Sequence, residues 1–242
     1  MAEDEIRKHT KAAVKIFKDK ESNWQHKLKE ILLEVLIIVF AVTISIWFHN
    51  YSDKLHERRE QTVFLIGLKK DLRGDIENLK SSLSFYENSL KGIGYFRKVG
   101  AGDSLKKDSL LKYGDLFFSW TEIEPHNSRY EALKSSGKLG IVENSELLNN
   151  IISLNESTVG HIQILNKRYL DYSDKTAAFI EEHAEISQPG GLLNIKTLVK
   201  ISQMRLLMNY GYYLLDNNII PAHIAAVKKC EDIIKQIDEE LK

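Results

Sequence analysis

The sequence predicts an all-α protein: one N-terminal transmembrane helix continuing into an elongated extracytoplasmic helical bundle. Three observations predict it. Ile31 to Phe48 (ILLEVLIIVFAVTISIWF) is an 18-residue run interrupted by one charge, Glu34. Apolar residues beyond it recur by threes and fours, the period of one helix face. No proline occurs in the first 124 residues, and no stretch alternates as a strand would.

The apolar run comes first. At about 1.5 Å rise per residue it makes a helix of ~27 Å, close to the ~30 Å hydrocarbon core of a bilayer. No Lys or Arg occurs between Lys29 and Lys54. Trp24 precedes the run, and Trp47 and Tyr51 mark its far end, as membrane-interface anchors do. The long, charged front and Glu34 favour an uncleaved signal anchor over a cleaved signal peptide, and Thr43 and Ser45 make a poor cleavage site. The chain therefore divides into a basic amphipathic tail (1–30), a transmembrane helix (31–48) and a helical bundle domain on the far side of it (49–242). Six basic residues fall in the 20 positions before the span (Lys11, Lys15, Lys18, Lys20, Lys27, Lys29) and three in the 20 after it (Lys54, Arg58, Arg59). The positive-inside rule then places the N-terminus in the cytoplasm. In the tail, Ile6, Thr10, Ala13 and Phe17 share a helical spacing among basic residues. That pattern suits either a paddle on an anionic leaflet or a solvated tail that fixes topology.

After the span, Leu65, Leu68, Leu72, Ile76, Leu79, Leu83, Tyr86 and Leu90 form one seam, predicting a helix that ends near Gly92 or Gly94. The seam suits packing against the chain's own helix 145–184, or a short coiled coil and thus a homo-oligomer. Gly67 and Gly74 lie seven apart on another face. They either admit a close neighbour or weaken the helix by about 1 kcal/mol each. Gly100-Ala101-Gly102-Asp103 predicts a loop, followed by a short helix over 104–118. A loop through Pro125 then leads to a capping box with Ser128 as cap and Glu131 three residues on. That helix stops at Gly137. Asn144 and Ser145 cap the next helix, and Gln188-Pro189-Gly190-Gly191 breaks the chain. Two last helices, 195–215 and 221–241, are expected to be separated by Asp216-Asn217-Asn218.

Composition narrows the function. The chain carries 34 basic and 34 acidic residues, so a nucleic-acid surface with its basic excess is not expected. The single cysteine, Cys230, forms no intrachain disulfide and reads as a buried thiol. There is no His-Glu-x-x-His, no Glu-x-x-His, no phosphate loop and no Gly-x-Ser-x-Gly elbow, so neither an enzyme nor a bound cofactor is expected. Glu122, Glu124 and His126 offer a few metal-type ligands, but no second cluster stands at defined spacing. Glu34 is the sharpest single residue: a carboxylate in hydrocarbon is costly and faces a partner, water or the headgroups. Ser128, Tyr130, Glu131, Leu133, Ser135, Ser136 and Gly137 form a compact motif. It reads as a capped structural helix or, alternatively, as a ligand-binding turn.

Two stretches carry a resemblance. The span holds an early glutamate, Glu34, and ends at His49-Asn50-Tyr51. Asn127 to Leu139 reads NSRYEALKSSGKL. Both resemble an uncharacterised family of single-pass inner-membrane proteins of Gram-negative bacteria, described only as a domain of unknown function. That family has an Asn-Asn-Trp-like boundary and a Tyr-x-x-Leu-Lys-Ser-Ser-Gly-x-Leu stretch. Its usual glycines beside the glutamate and in mid-span are Leu33 and Ala41 here, which weakens any tight helix contact they would support. The resemblance implies a cytoplasmic N-terminus, a periplasmic helical domain and no assigned activity. The expected function is that of a membrane-anchored structural or accessory protein in a larger cell-envelope complex. It would contact the lipid bilayer and a membrane or periplasmic protein partner. A periplasmic sensory or small-ligand-binding module is the alternative, and an enzyme of unknown type the third.

Overall fold

The structure, a computed structural model, describes residues 24–121, 124–187, 191–192 and 194–242. The basic tail up to residue 23, Glu122, and residues 188–190 of the expected break lie outside the described residues. The chain falls into two compact units, Met1–Glu60 and Gln61–Lys242. Helix α1, Trp24–Ala101, contributes its first part to one unit and its remainder to the other.

In the first unit the helix is apolar on every side. Leu32, Leu33, Leu36, Phe40 and Ile46 are all exposed, and no residue of its most hydropathic 18-residue window is buried. By length and composition this helix is able to cross a membrane. A helix apolar all round is the pattern of a deep core or a membrane span. Thr43 donates its hydroxyl to the Val39 carbonyl (2.7 Å), so this hydroxyl is satisfied within the helix. Trp47 stacks on Tyr51 with ring centroids 5.7 Å apart.

The second unit packs three long helical stretches. The first is α1 from Gln61. The second is α4 (Ser145–Ser153) running through a π turn, Leu154–Thr158, into α5 (Val159–His183). The third is α7 (Ser202–Leu214) running through a second π turn, Leu215–Ile219, into α8 (Ile220–Glu240). Shorter elements join them: α2 (Lys107–Tyr113), a 3-10 turn (Gly114–Phe118), α3 (Ser128–Ser135), a second 3-10 turn (Leu139–Ile141) and α6 (Ile195–Leu198). One core cluster gathers Tyr86, Ile93 and Phe96 with Leu165, Tyr169, Met208 and Leu214. The other gathers Leu65, Leu68 and Leu72 with Tyr130, Leu147, Ile151, Val227 and Ile233.

The seam of α1 differs from the expected one in an instructive way. Leu65, Leu68, Leu72, Leu79, Ser82, Tyr86, Ser89, Ile93 and Phe96 are buried, whereas Ile76, Leu83 and Leu90 are only partly so. With Asp75 these positions step by three and four alternately, a heptad pattern whose deep line passes through two serines. The apolar sequence pattern had skipped those serines. The helix also runs past Gly92 and Gly94 to Ala101. Gly92 is overlain by Leu116 and Tyr113, and Gly94 by Tyr212; these contacts outweigh the glycines' low helix propensity.

Four other expectations are corrected. Ser128 is the first residue of α3 rather than its cap. Asn127 holds the cap position in an αR conformation and offers no side-chain cap bond, so no capping box forms. Glu131 pairs forward with Lys134 instead, at 4.0 Å. Asp216-Asn217-Asn218 does not separate two helices: the π turn carries the chain through, with Ile220 N–H reaching the Leu215 carbonyl. The helix starting at Ile195 breaks after Leu198, before α7 begins at Ser202. A two-residue antiparallel pair also exists, β1 (Ile186–Ser187) against β2 (Gly191–Leu192), flanking the expected break. The Gly137 stop is as read: φ is +71°, Lys138 N–H reaches the Leu133 carbonyl (3.2 Å) and Gly137 N–H the Lys134 carbonyl (3.0 Å), a Schellman motif. Asn144 caps α4, accepting from the N–H groups of Glu146 and Leu147 at 3.1 Å each.

Candidate functional site

The two π turns organise the polar chemistry of the second unit. A π turn inserts one residue into a helix, leaving carbonyls without their usual partner, and such turns recur at functional sites. Here side chains add donors to carbonyls in and beside the turns. Asn155 donates to the Ile151 carbonyl (2.9 Å) and Thr158 to that of Ser153 (3.3 Å). Asn217 donates to the Tyr213 carbonyl (3.3 Å).

Around the first π turn, the segment from Pro125 to Leu139 is strapped down by ionic contacts. Glu156, inside the turn, accepts from the Tyr130 hydroxyl (2.7 Å) and the Lys134 ammonium (2.5 Å). Both contacts hold its carboxyl below the usual carboxylate range, the Lys134 bond contributing most. Lys134 is raised in turn by Glu156, and Tyr130 is raised by burial and then by Glu156. On α1, Asp71 pairs with Arg129 (2.8 Å), and Asp75 accepts from both the His126 backbone N–H (2.9 Å) and its ring (2.8 Å). Gly67 and Gly74 make room for this strap. A Cβ at Gly67 would stand 2.2 Å from the Arg129 guanidinium carbon, and one at Gly74 would stand 3.1 Å from the His126 ring. Of the two readings open for these glycines, close approach is the one realised.

Leu68, Leu72, Leu79, Leu154, Asn155 and Cys230 line a cavity of about 40 Å³ behind the strap. That is room for a water or two, far from the few hundred Å³ of a typical small-ligand site. The Cys230 thiol is buried and its pKa pushed up to about 12, chiefly by that burial, so it stays protonated at neutral pH.

The second π turn places His223 in the core. Its Nδ1 donates to the Ile219 carbonyl (2.8 Å), which fixes the tautomer and leaves Nε2 bare, with no hydrogen-bond partner among the described residues. Burial lowers its pKa. Its ring meets Tyr86 edge-on at 5.1 Å, and the Tyr86 hydroxyl donates to Asn166 (3.0 Å). Among the described residues no three His, Cys, Asp or Glu side chains group as a metal site would need.

The residues singled out from sequence fall in separate places. Glu34, Trp24, Trp47 and Tyr51 lie on the first unit's helix, Glu34 partly exposed and the three aromatics exposed. Tyr130 is buried in the second unit's core, and Leu133 packs partly against it. Ser128, Glu131, Ser135 and Gly137 are exposed, and Ser136 returns its hydroxyl to the Leu133 carbonyl (2.8 Å). The motif is thus a folded strap that positions Arg129 and Tyr130, and it is held by residues the sequence reading passed over: Asp71, Asp75, Lys134 and Glu156. The signal for one of them was present, since Asp71 follows Gly67 by one helical turn on the same face of α1.

A protein-family profile, described as a family of unknown function (DUF6090), matches residues 30–177. The chain belongs to this family. The matched stretch takes in the apolar helix, all of the strap and both sides of the first π turn; α6, α7 and α8 lie beyond it. No curated protein and no solved structure matches the chain.

Proposed function

We propose that this DUF6090 member is a single-pass, membrane-anchored structural or accessory protein of the bacterial inner membrane. Its N-terminus is cytoplasmic, its helical unit periplasmic, and it serves as a subunit or scaffold of a larger cell-envelope complex. The observation that carries this reading is the bare apolar helix. Eighteen consecutive residues with none buried would not persist in water, since apolar surface costs about 25 cal/mol per Å² exposed. The charge bias across the span supports the orientation. A carboxylate at Glu34, four residues into the run, supports a protein contact within the membrane.

Two features of the second unit support a scaffold over a sensory module. The cavity among its core leucines is water-sized, so the interior of the bundle offers no room for a sensory ligand. The unit also presents large apolar side chains outward on α7, with Leu206, Tyr210 and Tyr213 at 69%, 48% and 60% exposure. A partner would cover them. The test is cross-linking mass spectrometry on the full chain in its native membrane, compared with Glu34→Gln. A stoichiometric partner linked near residues 34–90, and weakened by the substitution, is the expected result. Homo-oligomers alone, unchanged by the substitution, would overturn the accessory reading and return weight to the sensory one.

A further inference from the structure

The C-terminal turns of α1 and the facing side of α7 enclose an open groove of about 770 Å³. Its charge is one-sided. Lys91, Arg97, Lys98 and Arg205 line it, and no carboxylate does. In a chain with equal numbers of acidic and basic residues, such segregation leaves four like charges without local compensation. Lys91, Lys98 and Arg205 form no ion pair among the described residues, while Lys69, Lys80 and Lys134 elsewhere in the unit are each matched to a carboxylate.

One of the four cations is held in place. Arg97 donates from Nε to the Asn209 side-chain carbonyl (2.8 Å), and its guanidinium carbon lies 4.3 Å from the Tyr212 ring centroid. Those contacts occupy Nε and one π face. Both terminal nitrogens remain to point a planar two-pronged donor at a ligand, the geometry that matches carboxylate and phosphate. Holding the fork in advance lowers the entropy cost of using it. Lys91 and Lys98, two turns apart on α1, stand about 10.5 Å from one another by helical rise. Positive charge is thus spread along the groove rather than gathered at one point.

We propose that this groove binds a multivalent oxyanion, a small ligand with two or more phosphate or carboxylate groups, one of which is gripped by Arg97. The groove volume falls in the range of small-molecule sites. This activity goes beyond the anchoring role and does not depend on it.

The test uses the full chain in nanodiscs of neutral lipid. Tripolyphosphate and citrate are titrated by calorimetry, and vesicles containing an acidic phospholipid are tested separately by co-sedimentation. Saturable binding of at least one probe is expected, weakened at least tenfold by Arg97→Gln and severalfold by Asn209→Ala, with Lys235→Gln unchanged. Arg97→Lys, which keeps the charge and loses the fork, should fall between wild type and Arg97→Gln. Tripolyphosphate alone indicates a soluble phosphate ligand, citrate a carboxylate one, and vesicle binding lost in Arg97→Gln a lipid headgroup; each supports the site. Failure of the wild-type protein to bind any probe overturns it, as does equal weakening by Arg97→Gln and Lys235→Gln.

Discussion

Gly211 of α7 offers the sharpest test of the packing described above, because two physical effects oppose each other there. Alanine in a helix interior is favoured over glycine by about 1 kcal/mol. At Gly211, however, a Cβ would stand 2.3 Å from the Tyr172 ring carbon Cζ and 2.4 Å from its hydroxyl. Tyr172 is itself buried and meets Tyr169 on one side (5.6 Å) and Tyr210 on the other (6.1 Å). The ring borders a groove lined by Leu206, Leu207 and Tyr210, so any retreat is taken from its packing against Tyr169 and Tyr210. Overpacking of this kind costs about 1–3 kcal/mol. The net expectation for Gly211→Ala is destabilisation by up to about 2 kcal/mol, the overpacking cost less the propensity gain. Gly160 in α5 supplies the control, since nothing lies within 4 Å of its Cβ position. Gly160→Ala should therefore stabilise by up to about 1 kcal/mol. With a domain of this size, 1 kcal/mol moves Tm by about 2–4 °C. Thermal melts of the detergent-solubilised chain, followed by circular dichroism, should shift in opposite directions for the two variants. If Gly211→Ala melts at or above Gly160→Ala, the close approach of α5 and α7 described here is wrong.

Three further outcomes follow from the strap and the buried histidine. Because Glu156 has a depressed pKa when folded, its contribution is present above its unfolded pKa and lost as pH falls through the folded value. The Tm difference between wild type and Glu156→Gln should accordingly be widest near neutral pH and close at acid pH, and a difference independent of pH would contradict the clasp. His223 also has a lowered folded pKa, so the unfolded chain binds its proton first. Stability is full above the ordinary imidazole pKa and is lost as pH falls from there toward the folded value. Melts between pH 8 and 5 should show a steeper acid loss in wild type than in His223→Leu. Gly67→Ala pushes the Arg129 guanidinium off its seat and should break the Arg129–Asp71 pair. Since that pair is partly exposed and worth about 1 kcal/mol or less, the double variant Gly67→Ala/Asp71→Asn should cost no more than Gly67→Ala alone.

Much of the fold was legible in the sequence, because helices and apolar runs announce themselves locally. The apolar helix, the period of α1, the Gly137 stop and the Asn144 cap all depend on residues within a turn or two of each other. Two of the misplaced helix ends have a common source. Gly92, Gly94 and Asp216-Asn217-Asn218 carry the local chemistry of a helix end, and locally that reading was sound. Tyr113, Leu116 and Tyr212 pack over the glycines, and the Asn217 side chain turns back to donate to the Tyr213 carbonyl, so α1 continues and α7 runs into α8. The same applies to the polar line through Ser82 and Ser89, which an apolar pattern has no means of marking.

The sequence by itself determined the class of protein: an all-α chain with one helix apolar enough to cross a membrane, and a motif that places it near one family. Only the tertiary structure decided what the motif is for. Arg129, Tyr130 and Lys134 reach partners at Asp71 and Glu156, 58 and 26 residues away for the first two, and no local pattern encodes those pairings. The cationic groove has the same origin. Arg97 and Asn209 are separated by 112 residues, and charge that balances over the whole chain is unbalanced around the groove. Charge along a chain is a sum, whereas a binding surface depends on which terms of that sum folding brings together.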